Sequence, residues 1–108
     1  MITSTPIPQL NIDAEQIAAF CEKWGIAELS VFGSVLRDDF GPESDIDVLF
    51  IPKPKTEITL DYLWQAEEEL AALFGRRVDF IEKEQVQRDP NYIRRRIILN
   101  SARVLYAA

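Results

Sequence analysis

GSVLRDDFGPESDID, residues 33–47, is the stretch that decides the reading of this chain. Upstream lies AELSVF (27–32), an apolar run that reads as a strand broken at Gly33. Downstream, DIDVLFI (45–51) reads as a second strand, ended by Pro52 and Pro54. Between them a short helical turn is expected over 34–38. DFGPES (39–44) is loop chemistry, with Gly41-Pro42 as its turn signal. Side chains alternate along a strand, so Asp45 and Asp47 point to one face. Two carboxylates so placed repel each other unless a cation lies between them. A hard divalent ion, most simply Mg²⁺, relieves that repulsion and keeps positions open for phosphate oxygens and water.

A third carboxylate belongs with this pair. Asp79 sits in RVDFIE (77–82), a third predicted strand, between Val78 and Phe80, which should face the core. If that strand lies beside the second, Asp79 joins Asp45 and Asp47. Three acids can hold two metal ions about 3.5–4 Å apart, the arrangement of in-line phosphoryl transfer. Gly33-Ser34 supplies the other half of the site. A glycine directly after a strand lets the backbone approach a phosphate, and the turn that follows aims free N–H groups at it. The Ser34 hydroxyl adds a donor, Arg37 can reach outer phosphates with its forked guanidinium, and Ser44 is a further contact. Each piece has a plainer reading: Asp45 as a turn residue, Asp79 as an edge carboxylate paired with Arg76 or Arg77. Together they favour a magnesium–nucleotide site.

Composition narrows the partners. The chain has 108 residues, 47% apolar and 28% charged, which suits one small domain over 1–108, with 1–10 as an extended lead-in. The net charge of −6 lacks the basic bias of proteins that hold nucleic acid by its phosphates, so direct nucleic-acid binding is disfavoured. There is no histidine, which removes imidazole-based triads and zinc sites and leaves carboxylates as bases and metal ligands. The single cysteine, Cys21, shares a helical face with Ile17, Phe20 and Trp24 and reads as a buried thiol. No signal peptide or membrane span is evident, so a cytoplasmic protein is expected.

The remaining pattern is helical. A first helix is capped by Asn11 or Asp13 and stops at Gly25. Thr59 to Phe74 is the clearest helix, with Leu60, Leu63, Leu70, Leu73 and Phe74 as its stripe and Glu67-Glu68-Glu69 as solvated surface. One of Tyr62 and Trp64 must turn outward. Asp89-Pro90 should cap a last helix running to about Asn100, and 104–106 a short edge strand. Arg94-Arg95-Arg96 is the sole basic run, either a solvated face or a contact for phosphate or an acidic partner. The expected class is α/β (α+β): a small mixed sheet of three to four strands, backed by helices on one side.

The motif GS followed by ten residues and DxD resembles the signature of the polymerase-beta-like nucleotidyltransferase superfamily, with Asp79 where that family has its third carboxylate. The short chain and its ending IILNSARVLYA are similar to the minimal nucleotidyltransferase (MNT) antitoxins, which pair with HEPN-domain RNase toxins. The resemblance implies a nucleotidyltransferase fold and transfer of AMP from ATP to a tyrosine of the HEPN partner. It implies that Gly33 and Ser34 bind the triphosphate, that Asp45 and Asp47 hold the metals, and that Asp79 helps deprotonate the attacking hydroxyl. The family often has Ala-Arg-Gly after the GS step; here Arg37 is kept without the glycine. Two other readings stand beside it: an antitoxin that works by occlusion alone, and a nucleotidyltransferase for a small molecule or an RNA end.

Overall fold

The computed structural model describes residues 13–36, 41 and 44–108, the Ser34 side chain excepted. The expected lead-in, the Asn11 cap and Arg37 lie outside the described residues. Helix α1 (Ala14–Trp24) starts where the Asp13 carboxylate accepts the N–H groups of Glu15 and Gln16. It ends at Gly25, whose left-handed backbone (φ 64°) returns its N–H to the carbonyls of Cys21 and Glu22. Strand β1 (Ile26–Phe32) follows, then a 3₁₀ turn (Gly33–Leu36), β2 (Ile46–Pro52), α2 (Leu60–Phe74), β3 (Val78–Glu82), α3 (Lys83–Gln87), α4 (Tyr92–Ser101) and β4 (Arg103–Ala107).

The four strands form one mixed sheet in the order β3-β2-β1-β4. β1 pairs antiparallel with β2 and with β4, while β2 and β3 run parallel because α2 carries the chain across between them. Ile46, Val48 and Phe50 of β2 point to one face, where α1 and α2 close the larger core. Phe50 stacks on Phe80 at 4.1 Å between ring centroids, and Phe20 meets Phe80 edge-on at 6.3 Å. Cys21 is fully buried there, and burial pushes its thiol up to about 12, which removes it as a nucleophile as expected.

Leu49 points to the opposite face, where it joins Phe32 and Val86 under Ile98 and Leu99. Helices therefore cover both faces of the sheet, a correction to the one-sided expectation. Helix α3 was not foreseen; of its five residues only Val86 is buried, too little for a periodic signal. The cap of α4 is Asn91, whose side chain accepts the Arg94 N–H, and not Asp89, which instead accepts the Asn91 N–H and the Arg94 guanidinium.

Two readings of α2 also change. Leu60 is 86% exposed, because the buried stripe runs through Ala66 and Leu70 with Leu63, Leu73 and Phe74 beside it. The glutamate run is not simply solvated. Glu67 accepts the Phe80 N–H, taking up a backbone donor of edge strand β3, and Glu69 accepts from Lys23 Nζ and Trp24 Nε1. Of the two flanking aromatics, Tyr62 turns inward and donates its hydroxyl to the Trp24 carbonyl at 2.5 Å, while Trp64 stays 66% exposed. Burial pushes Tyr62 up to about 12. No helix among the described residues is long and apolar enough to cross a membrane.

Candidate nucleotide and metal site

The site grows from the end of β1. Phe32, its last residue, pairs with Asp47 of β2, and Asp47 in turn pairs with Asp79 of β3. Residues in register on neighbouring strands share a face, so Asp47 and Asp79 stand side by side at one end of the sheet. The flanking Ile46, Val48, Val78 and Phe80 face the core and hold both acids outward. Asp79 is exposed and Asp47 half-buried.

Gly33 suits this position on two counts. Its φ of 78° lies in the left-handed region, which costs a residue with a side chain about 1–2 kcal/mol. A Cβ at this position would also lie 2.4 Å from Oδ2 of Asp47, closer than any real contact. The glycine and the second aspartate of DxD, distant in sequence, are thus fitted against each other. The 3₁₀ turn that follows is pinned by Val35, which is buried, and by Leu36, which packs on the larger core. Asp47 therefore sits directly against the start of the turn that Gly33 opens.

Asp45 lies just before β2 and is exposed; its Oδ1 accepts from Arg77 Nε at 3.0 Å. The neighbouring Ile46 N–H bonds the Arg77 carbonyl at 2.9 Å, which fixes the start of the β2–β3 ladder. Arg76 donates from Nη1 to the carbonyls of Gly41 (2.6 Å) and Ser44 (3.0 Å), clamping the loop that delivers the chain to Asp45. Ser44 closes the same turn: its Oγ accepts the Gly41 N–H at 3.0 Å. Sequence reasoning missed this use of Arg76. The signal available was two arginines directly before an acidic strand, but not which of them would reach the loop.

The structure thus brings Gly33, Asp47 and Asp79 together, sets Asp45 on Arg77, and engages the Ser44 hydroxyl within its loop. Among the described residues, no group of three or more acidic or thiol side chains is close enough to hold a metal ion. An oxygen-only pair of neighbouring carboxylates nevertheless suits Mg²⁺, which is typically bound by one or two carboxylates together with substrate phosphates and water. Asp47 and Asp79 would hold the ion, with Asp45 available once it exchanges Arg77 for it.

Comparison with known proteins identifies the family. Residues 14–105 match the nucleotidyltransferase domain family. The protein adenylyltransferase MntA of Thermococcus cleftensis is 35% identical over 66 residues, which span 61% of this chain and 65% of that protein's length. Among solved structures, one assigned as a minimal nucleotidyltransferase is 28% identical, with a TM-score of 0.63 over 83% of this chain and 86% of the other. A complex of the tri-AMPylated Shewanella oneidensis HEPN toxin with its MNT antitoxin shares the fold at 15% identity, with a TM-score of 0.56 over 88% of this chain and 70% of that one. With its family match running through every element from α1 to the middle of β4, the chain belongs to the nucleotidyltransferase domain family and is similar to its minimal, MntA-like members.

Proposed function

We propose that this chain is a Mg²⁺-dependent adenylyltransferase that moves AMP from ATP to a tyrosine of a HEPN-domain toxin and so neutralises it. The observation that carries the reading is the close fit of Gly33 against Asp47, with Asp79 beside it across the parallel pair. The archaeal relative is a protein adenylyltransferase, and the bacterial complex holds an AMPylated HEPN toxin. A reaction fed by ATP also agrees with a cytoplasmic location.

In this reading the backbone after Gly33 and the Ser34 hydroxyl take the triphosphate, and Arg37 reaches its outer oxygens. Asp47 and Asp79 would hold the cation, with Asp45 available to it in place of Arg77. Bound Mg²⁺ would offset the charge of the triphosphate and of the acids around it. The acceptor oxygen forms a bond to the α-phosphorus, the bond to pyrophosphate breaks, and Asp79 takes the hydroxyl proton. Pyrophosphate leaves as the second product. Ser44 serves by shaping the loop before Asp45.

Incubation with the HEPN partner, Mg²⁺ and α-labelled ATP should place label on a partner tyrosine. A complex that forms without labelling would sink this reading. Exposed apolar residues on α2 and α4 favour one alternative, neutralisation by occlusion alone. It would win if Asp45→Asn with Asp47→Asn still silenced the toxin at native levels.

A further inference from the structure

We infer that the outer side of α4 is the docking surface for the protein acceptor, whose matching patch is apolar and rimmed by carboxylates. This rests on the proposed transfer to a protein.

No residue of α4 is fully buried. Its inner side, Ile98 and Leu99, packs on the cluster that contains Phe32, the sheet partner of Asp47. Its outer side leaves Ile93 69% and Ile97 62% exposed, one helical turn apart, with Tyr92 also exposed. Two bare isoleucines on one stripe are a poor surface for water and a good one for another protein.

The polar residues around them are ordered. Arg94 forks onto both oxygens of Asp89, and Arg95 donates to the Asp89 carbonyl while lying 5.4 Å over the Tyr92 ring. Arg96 donates to the Tyr92 hydroxyl at 3.4 Å. Tyrosine and arginine are the side chains most often found to anchor interfaces, and anchors already held in place lose less entropy on binding.

Charge selects the partner's chemistry. The chain carries −6 overall, yet α4 contains three arginines and no acid. An acceptor bringing carboxylates toward this acidic chain meets a concentration of positive charge on α4. The same contact then seats it on the helix whose inner side packs on Phe32, the sheet partner of Asp47. Nucleic acid would use the arginines but leave Ile93 and Ile97 without a purpose. The other bare ridge, Leu60 and Trp64 on α2, lies on the far face of the sheet.

The test is titration of the HEPN acceptor by calorimetry with the full chain and with Ile93→Glu/Ile97→Glu, Arg96→Glu and Trp64→Glu. The paired isoleucine variant should weaken binding by about 100-fold, and Arg96→Glu by about tenfold with slower association. Trp64→Glu should stay within about twofold, and all three should bind ATP as the parent does. Equal binding by the α4 variants would overturn the inference, as would an equal loss in Trp64→Glu. Self-association of the chain abolished by Ile97→Glu would assign the surface to a second copy, and RNA binding lost in Arg96→Glu would assign it to nucleic acid; either result overturns it. A complex that needs α4 but shows no labelling leaves docking standing and removes only the transfer reaction. Absence of any complex with the parent chain removes both.

Discussion

The two faces of the sheet are built to different standards. On one, α1 and α2 close over Ile46, Val48, Phe50 and Phe80 with stacked and edge-on aromatic rings, and Glu69 ties the two helices by accepting from Lys23 and Trp24. On the other, α3 contributes one buried residue and α4 none, over a small cluster of Phe32, Leu49 and Val86. Stability is concentrated on the first face and chemistry at the end of the second. In the proposed function these carboxylates meet a nucleotide and an acceptor and so cannot be packed away, which agrees with the thinness of the face that carries them.

The sharpest way to break this division is Asp47→Asn. Transfer should fall by about 10³–10⁴-fold, roughly 4–5 kcal/mol on the barrier, with the unfolding midpoint little changed. A large loss of stability instead would make Asp47 a structural residue. Phe50→Ala is the converse: a fully buried, stacked ring on the first face, so its removal should cost about 3–5 kcal/mol in denaturant unfolding. Gly33→Ala probes the seam between the two. The left-handed backbone and the Asp47 carboxylate both oppose a Cβ, so about 2 kcal/mol of stability and at least tenfold of activity should go together. Loss of stability with activity intact would separate Gly33 from the site.

The smallest effect is a pH dependence on the first face. The hydrogen bond from Lys23, then that from Trp24, hold Glu69 below the usual carboxylate range. A depressed carboxylate stabilises the fold fully above its unfolded value near 4.5, and that contribution fades as pH falls through the lower folded value. Glu69→Gln should therefore be less stable than the parent at neutral pH, by under about 1 kcal/mol for so accessible a pair, and the gap should close in acid. A gap that widened in acid would reverse the sign and exclude this ion pair as the cause.

How much of this was legible depends on range. Gly33, Asp47 and Asp79 could be read because each lies at a strand end or inside a short β-branched run, where the period of two assigns the face. The placement of β3 beside β2 was open in the sequence, and the structure shows it as a parallel pair joined through α2. What escaped was contact between distant residues: Arg76 on the Gly41 and Ser44 carbonyls, Arg77 on Asp45, Glu67 on Phe80 and Glu69 on Trp24. A charged residue announces that it will find a partner but not which one. Helix α3 escaped for a different reason, since a single buried valine in five residues has no period to detect.

One consequence of the parallel pair concerns time. β1 and β2 are neighbours in sequence and can zip together early, which seats Gly33 against Asp47. Asp79 reaches them only after α2 has crossed the sheet and β3 has docked, a contact that must first meet the entropy of closing a long loop. A partly folded or nascent chain thus has Asp45 and Asp47 in place but lacks Asp79, and with it the pair of neighbouring carboxylates that would hold a cation. On the proposed reading, competence arrives with the β2–β3 pairing and not before it, so a chain in which α2 has yet to cross the sheet cannot react.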